Sequence, residues 1–231
     1  MVIVSLTGYV ATRRIQQGLV DVVEVDLPAI DYLLEADRDL YQLLAAERSM
    51  IFSDVNSEVF QQQLSDWEEN LQQSEERFNR FKELVDIEEA APFIASYEST
   101  RKDWESVSRQ VVEGRASDTR SGRRLAIDLT LGDAMVTFNA MRDNLDKLTG
   151  VVLAQAENKR AWTQETFSDT VRTLVVVTLI GLVLGLVLAW LIARSVTRPV
   201  SRLVGILGQM SQGHMDVDIT VDRGDEIGTL L

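Results

Sequence analysis

TLVVVTLIGLVLGLVLAWLIA, from Thr173 to Ala193, is 21 residues long and carries no charge. At 1.5 Å per residue a helix of that length reaches roughly 30 Å, the thickness of a bilayer's hydrocarbon core. The competing reading is a buried core helix, but a run this long and this apolar favours a membrane span. Trp190 stands near one end, where an indole prefers the headgroup interface. Gly181 and Gly185 form a small-xxx-small pair, a weak signal for close helix approach because glycine is common in spans.

The flanks orient the span. Arg194, Arg198 and Arg202 follow it with no acid before Asp216, whereas Lys159, Arg160 and Arg172 are mixed with Glu157, Glu165 and Asp169 on the preceding side. The positive-inside bias therefore puts 194–231 in the cytoplasm and 13–171 outside. The chain of 231 residues has 23 Lys/Arg against 36 Asp/Glu, a net charge of −13. Residues 13–171 hold 18 of those bases and 31 of those acids and so carry the whole excess, which marks a boundary near Val171. The opening segment MVIVSLTGYVAT has only 12 uncharged residues, too few to cross a bilayer, and lacks the basic start and cleavage site of a signal peptide. It reads as the outer part of a first span, residues 1–12, whose beginning is missing. Arg13 and Arg14 would then lie outside, which a long translocated loop tolerates.

Composition removes whole classes of function. With no cysteine and one histidine, His214, zinc frameworks, redox CxxC pairs and disulfide staples are excluded. The acidic balance opposes binding nucleic acid through its phosphates. No nucleophile–base pair or catalytic carboxylate pair stands out, and neither a cofactor nor a metal is expected; the reading is not an enzyme. Asp216, Asp218 and Asp222 lack the glycine and spacing of an EF-hand loop. Acidic rows such as Asp31, Glu35 and Asp39 read as solvated helix faces, and His214 as a solvated connector residue.

Three prolines in the chain leave room for long helices. Between 13 and 171 apolar residues recur at alternating spacings of four and three, the seam of packed helices. One run is Phe60, Leu64, Trp67, Leu71, Ser74, Phe78, Phe81, Val85; another is Phe93, Tyr97, Thr100, Trp104, Val107, Val111. A later run is Ala134, Phe138, Met141, Leu145, Leu148, Val152, fading through Gln155 and Lys159 to Trp162. The first helix carries Leu19, Val23, Ile30, Leu33, Leu40, Leu44 and Ile51, interrupted by Asp26, Asp37 and Glu47. Ser53–Ser57 supplies N-cap residues, Pro92 suits a first helical turn, and Pro28 kinks or restarts the first helix. Gly114–Arg124 reads as a loose or distorted turn, and Leu131-Gly132-Asp133 as a C-cap followed by a new start. The expectation is an all-α, membrane-anchored antiparallel four-helix bundle with its Ser53 and Gly132 turns at the far tip. Leu27, Leu34, Tyr41 and Arg48 repeat every seven residues beside the core seam of the first helix. Such a second stripe predicts a homodimer through that helix; a single wide stripe is the alternative.

After the span, Val196, Val200, Leu203, Leu207 and Met210 form a short seam opened by Pro199 and ended by Gly213. Met215, Val217, Ile219 and Val221 then alternate with polar residues, which fits a strand or an extended connector in a helix groove. Asp225 and Glu226 place acids at the start of a further helix.

The span followed by R-S-V-T-R-P-V, the heptads, the glycine and D-E-I-G-T-L resembles a HAMP domain, the linker of bacterial membrane receptors. The stretches DLPAIDYLLEADRDLYQLLAAERSM (Asp26–Met50) and LTLGDAMVTFNAMRDNLDKL (Leu129–Leu148) resemble the four-helix-bundle sensor of methyl-accepting chemotaxis proteins. The resemblance implies a homodimeric inner-membrane receptor with a periplasmic sensor at 13–171, a second span at 172–193 and HAMP at 194–231. It also implies that Pro199, Leu203, Leu207, Met210, Gly213, Asp225, Glu226 and Gly228 transmit the signal. The HAMP sequence stops early and the hairpin that meets the chemotaxis kinase and adaptor is absent, so a receptor fragment is expected. HAMP linkers also serve sensor histidine kinases and diguanylate cyclases, which remain alternatives; a passive membrane-anchored bundle has no use for one.

Related sensors bind solutes near the tip, beside the dimer seam. Arg48 lies five residues before Ser53 and Thr137 five after Gly132. An arginine there holds a carboxylate bidentately, with a hydroxyl completing the site. The expected ligand is an organic acid or amino acid held by Arg48 and lined by Tyr41 and Thr137. The competing reading pairs Arg48 with nearby acids on a solvated face. Asp37 and Glu47 either line a pocket or, one residue out of register, face water.

Overall fold

The computed structural model describes residues 2–213, and every element in that range is helical. Residues Val10–Phe167 form one compact unit; of the other described residues, those before Val10 and those from Ser168 onward form a second. His214, the alternation at 215–222, Asp225, Glu226 and Gly228 lie outside the described residues.

In the first unit the ascending helix is built from α1 (Val2–Asp21) and α2 (Leu27–Phe52), joined by the π turn Val22–Asp26. The chain neither restarts nor breaks at Pro28. A proline ring inside a helix collides with the carbonyl four residues back and donates no hydrogen bond. The backbone just upstream widens, and the Leu27 amide donates to Val22 O. Asp26, inside this π turn, is buried, and both its oxygens accept from Lys159 Nζ at 2.9 and 3.0 Å.

Ser57 caps α3 (Glu58–Leu84), its hydroxyl accepting from the Phe60 amide at 3.2 Å. After the 3₁₀ turn Glu88–Ala90, Pro92 lies in the first turn of α4 (Ala91–Ala116). The Lys82–Glu98, Ser74–Arg101 and Trp67–Ser108 contacts run in opposite sequence directions, so α3 and α4 are antiparallel. α5 (Arg120–Leu131) and α6 (Asp133–Ile192) complete the bundle: Met135 meets Arg48, Arg142 meets Asp37 and Lys159 meets Asp26. Four antiparallel helical rods packed on one core is the four-helix bundle.

The structure moves one turn. The reversal between the third and fourth rods is Ser117–Asp118–Thr119, within the segment expected to be loose, and Gly132 is a bend inside the descending rod. Asp118 takes a positive φ of 50° and Thr119 caps α5, accepting from the Gly122 amide at 3.0 Å. Two glycines let the rods close: a Cβ on Gly122 would stand 2.3 Å from Gly114 O, and one on Gly114 would stand 2.9 Å from Gly122 O. The glycines in GRASDTRSGRR therefore belong to a tight helical hairpin.

The four runs fall on four rods. Phe60, Trp67, Leu71, Phe78 and Phe81 from α3 and Phe138, Met141, Leu145, Leu148 and Val152 from α6 are buried in one cluster. Trp104 and Phe138 meet with ring centroids 5.6 Å apart. The first rod contributes Leu33, Leu40 and Leu44, but Leu19 and Val23 are exposed. α4 is rotated from the expected seam. Its buried residues are Tyr97, Arg101, Trp104, Ser108, Val111, Val112 and Arg115, so polar residues recur every seven positions along the seam, while Thr100 and Val107 are half-buried.

The second unit contains the apolar run from Thr173, the π turn Ala193–Thr197 and α7 (Arg198–Ser211). Its most apolar 18-residue window has a mean hydropathy of 2.9 and none of it is buried, so length and composition suit a membrane span. Pro199 follows its π turn at the same two-residue distance as Pro28 follows the first. Gly213 closes α7 with φ of 90°, its amide donating to Met210 O. Val196, Val200, Leu207 and Met210 are exposed, and Leu203 is half-buried.

Candidate functional site

Arg48 and Tyr41 stand two turns apart on α2 and both touch α6. Arg48 Nη2 approaches Met135 Sδ at 3.3 Å, and the Tyr41 ring meets Phe138 edge-on at 5.5 Å. The structure thus brings Arg48 and Tyr41 to one α2–α6 seam, whereas Thr137 shares its face of α6 with Asn144, seven residues on, which donates to Thr100 of α4 at 3.3 Å. The Arg48 surroundings differ from a solvated ion pair. Among the described residues no carboxylate is within ion-pair distance, and Arg48 Nε is buried without a hydrogen-bond partner. A buried guanidinium N–H left unmatched costs the bundle free energy that an acceptor brought within reach would recover.

The other two residues are partly committed. Thr137 donates its proton to the backbone, at Asp133 O (2.8 Å) and Ala134 O (3.2 Å), so it presents only an acceptor and a methyl. Tyr41 is 47% exposed, with one ring face taken by the Arg142 guanidinium 4.3 Å from its centroid. Asp37 holds that guanidinium bidentately at 2.5 and 2.9 Å and raises the Arg142 pKa. Asp37 is therefore a helix-to-helix clamp.

Glu47, the neighbour of Arg48, points inward and is 1% exposed. Ser108 and Thr130 donate to its two oxygens at 2.5 Å each, and Trp67 Nε1 donates on to Ser108 at 3.1 Å. One carboxylate thus joins all four rods. Burial is the largest influence and pushes its pKa up, against the two hydroxyls and the charge of Arg48. Above it Arg115, buried, donates to Met50 O at 3.0 Å and to Ser53 O, tying its charge to the C-terminal carbonyls of α2.

Asp39 corrects the reading of the acidic rows as solvated. It is buried, and it accepts from Arg38 (3.1 Å) and Arg77 (2.5 Å), while Arg77 also pairs with Glu35. Desolvation raises its pKa, with Arg38 opposing.

Sequence reasoning missed Arg101, Ser108 and Arg115. A signal existed: the three repeat every seven residues, interleaved with Tyr97, Trp104 and Val111. Pattern reading favoured Thr100 and Val107 because they are less polar, yet packing here accepts charge where acceptors are waiting.

A family model of four-helix-bundle sensory modules for signal transduction matches residues 1–167, and a HAMP domain model matches 191–231. No curated protein matches the chain. Neither kind of domain is catalytic, and their succession around a span-length apolar helix is the input region of a membrane receptor of the methyl-accepting chemotaxis type. The sensory-module match covers most of the chain, and the protein belongs to that family of four-helix-bundle sensors.

Proposed function

We propose that this protein senses a small carboxylate-bearing solute, an organic acid or amino acid, in the periplasm as a homodimer in the inner membrane. In this reading residues 13–171 form the sensor, 172–193 cross the membrane and 194–231 carry the change into the cytoplasm. The observation that carries it is Arg48: a guanidinium with a buried, unmatched N–H and no carboxylate of its own, at the α2–α6 seam. Tyr41 touches α6 at the same seam, and Thr137 on α6 is the further lining residue of this reading. The dimer is supported by Leu27, Leu34 and Tyr41, which expose between 47% and 58% of their area at seven-residue intervals on α2. Burying such a stripe against a second copy brings two Arg48 side chains to one interface.

A solute bound there stabilises one arrangement of α2 against α6 by its differential affinity alone. The test uses the full chain in nanodiscs and calorimetric titration with a panel of mono-, di- and tricarboxylates and the common amino acids. Arg48→Ala should weaken the binding carboxylate at least tenfold, about 1.4 kcal/mol. If binding of every carboxylate is unchanged, the reading is wrong. The chain has no cysteine, so a single Leu184→Cys reports span-to-span cross-linking directly. Its rate should change on adding the solute that binds.

A further inference from the structure

Two consecutive residues of α2 hold the descending rod on either side of its bend. Glu47 accepts from Thr130, two residues before Gly132, at 2.5 Å; Arg48 Nη2 donates to Met135 Sδ, three residues after it, at 3.3 Å. The two contacts differ in strength. The first joins a carboxylate to a hydroxyl, whereas a thioether sulfur is a weak acceptor. That sulfur is still the only hydrogen-bond acceptor of the Arg48 guanidinium among the described residues, and Arg48 Nε is buried with none.

Nε and Nη2 present their N–H groups along one edge of a guanidinium, and a single oxygen on that edge can take both. Arg109 shows this within the same protein: its Nε and Nη2 donate to one oxygen of Glu105 at 2.9 and 2.6 Å. At Arg48 the equivalent place is held by sulfur, which reaches Nη2 alone. An oxygen added to that sulfur would complete the pattern.

Thioethers acquire such an oxygen from two-electron oxidants, and the sulfoxide formed is polar and a strong acceptor. In an apolar core that oxygen has no partner and disrupts packing. Met50 and Met141 sit in that setting, 1% and 0% exposed. Met135 is half-buried and faces a cation with an unmatched N–H. The chain has no cysteine, so no thiol of its own competes for the oxidant.

We propose that Met135 is an oxidation site at which a peroxide converts the weak Arg48–Met135 contact into a firm one. The sulfur attacks one oxygen of hydrogen peroxide, and the S–O bond forms as the O–O bond breaks. Sulfur gives up two electrons, the peroxide is reduced, and the departing hydroxide takes the proton from the transferred oxygen and leaves as water. Rotation about the terminal side-chain bonds brings the sulfoxide oxygen to the Nε–Nη2 edge of Arg48. The ascending rod then holds α6 firmly on both sides of the Gly132 bend, and α6 is the helix that runs on into the apolar stretch at Thr173. The sulfoxide takes the same N–H that a bound carboxylate would use, but its formation requires no solute.

The test exposes the full chain in nanodiscs to millimolar hydrogen peroxide with no carboxylate present, so its failure leaves the carboxylate reading standing. Peptide mass mapping should find the added oxygen on Met135 at doses that leave Met50 and Met141 reduced. Tm should rise by about 2–4 °C, the scale of one charge-assisted hydrogen bond in a unit of this size, and a methionine sulfoxide reductase should reverse the rise. Met135→Leu keeps the volume and removes the sulfur, and Arg48→Ala keeps the sulfur and removes the donor. Each variant is compared with itself before and after peroxide, and neither should show the rise. Oxidation of Met50 or Met141 ahead of Met135 overturns the proposal, as does a Tm that falls or stays constant once Met135 is oxidised. A rise that persists in Met135→Leu or in Arg48→Ala also overturns it and assigns the effect to another group.

Discussion

Gly122 and Gly150 are both helical glycines in the bundle, and the same substitution should move stability in opposite directions at the two. At Gly150, in α6, a Cβ would meet nothing within 4 Å, so Gly150→Ala only removes backbone freedom from the unfolded chain. The gain is about 1 kcal/mol. At Gly122 the same gain is available at most, but the added carbon would stand 2.3 Å from Gly114 O, 2.2 Å from Ser117 Oγ and 3.0 Å from Thr119 Oγ1. The serine can rotate away; the carbonyl belongs to the facing helix and moves only with it. Relieving the overlap means parting α4 and α5 by about 1 Å, and overpacking of this kind costs about 3 kcal/mol. The net loss is about 2 kcal/mol. For a unit of this size 1 kcal/mol corresponds to about 2–4 °C in Tm. Gly150→Ala should therefore melt about 2–4 °C higher than the parent, and Gly122→Ala about 4–8 °C lower. Intrinsic fluorescence of the full chain in nanodiscs, dominated in the bundle by buried Trp67 and Trp104, follows both transitions. If Gly122→Ala melts at or above the Gly150→Ala temperature, the close hairpin and the turn assigned to Ser117–Thr119 are wrong.

Two further outcomes follow from buried charge. Burial raises the Glu47 pKa, so the folded bundle holds that proton more tightly than the unfolded chain; the stability it confers is complete below the ordinary carboxylate range and is lost as pH rises through the folded-state value. Glu47→Gln should remove that slope, raising Tm relative to the parent more at about pH 7.5 than at about pH 4; an equal difference at both would refute the assignment. Lys159→Met leaves the Asp26 carboxylate buried without its cation and should cost about 3 kcal/mol, while Asp26→Asn with Lys159→Met should recover most of it, read as Tm in the same assay.

The polar groups of the α4 seam share one arrangement. Arg101, Ser108 and Arg115 each reach across to another rod, at Ser74, Glu47 and the Met50 carbonyl respectively. Hydrogen bonds of this kind are directional, unlike apolar contact, and they fix the rotation and height of α4 against its neighbours. The positions that set the register of the bundle are thus the ones an apolar pattern search passes over.

The four-rod bundle, the seams of α3 and α6, the span-length apolar run and the HAMP-like segment were legible in the chain because each depends on local periodicity or on a long uncharged run. The far-end turn was not: GRASDTRSGRR contains turn-forming residues throughout, and only the meeting of Gly114 with Gly122 selects the three-residue reversal at 117–119. Rotation of α4 by one position likewise depends on acceptors supplied by α2 and α3. The arginine at the seam was visible as a residue type at the right height, but its unmatched N–H is a property of what surrounds it. Asp39 and Asp31 read alike along the helix, yet Asp39 meets Arg77 from α3 and is buried while Asp31 stays exposed. Periodicity specifies which face of a helix turns inward; the partner helix decides whether a charge on the edge of that face is solvated, paired or left unmatched.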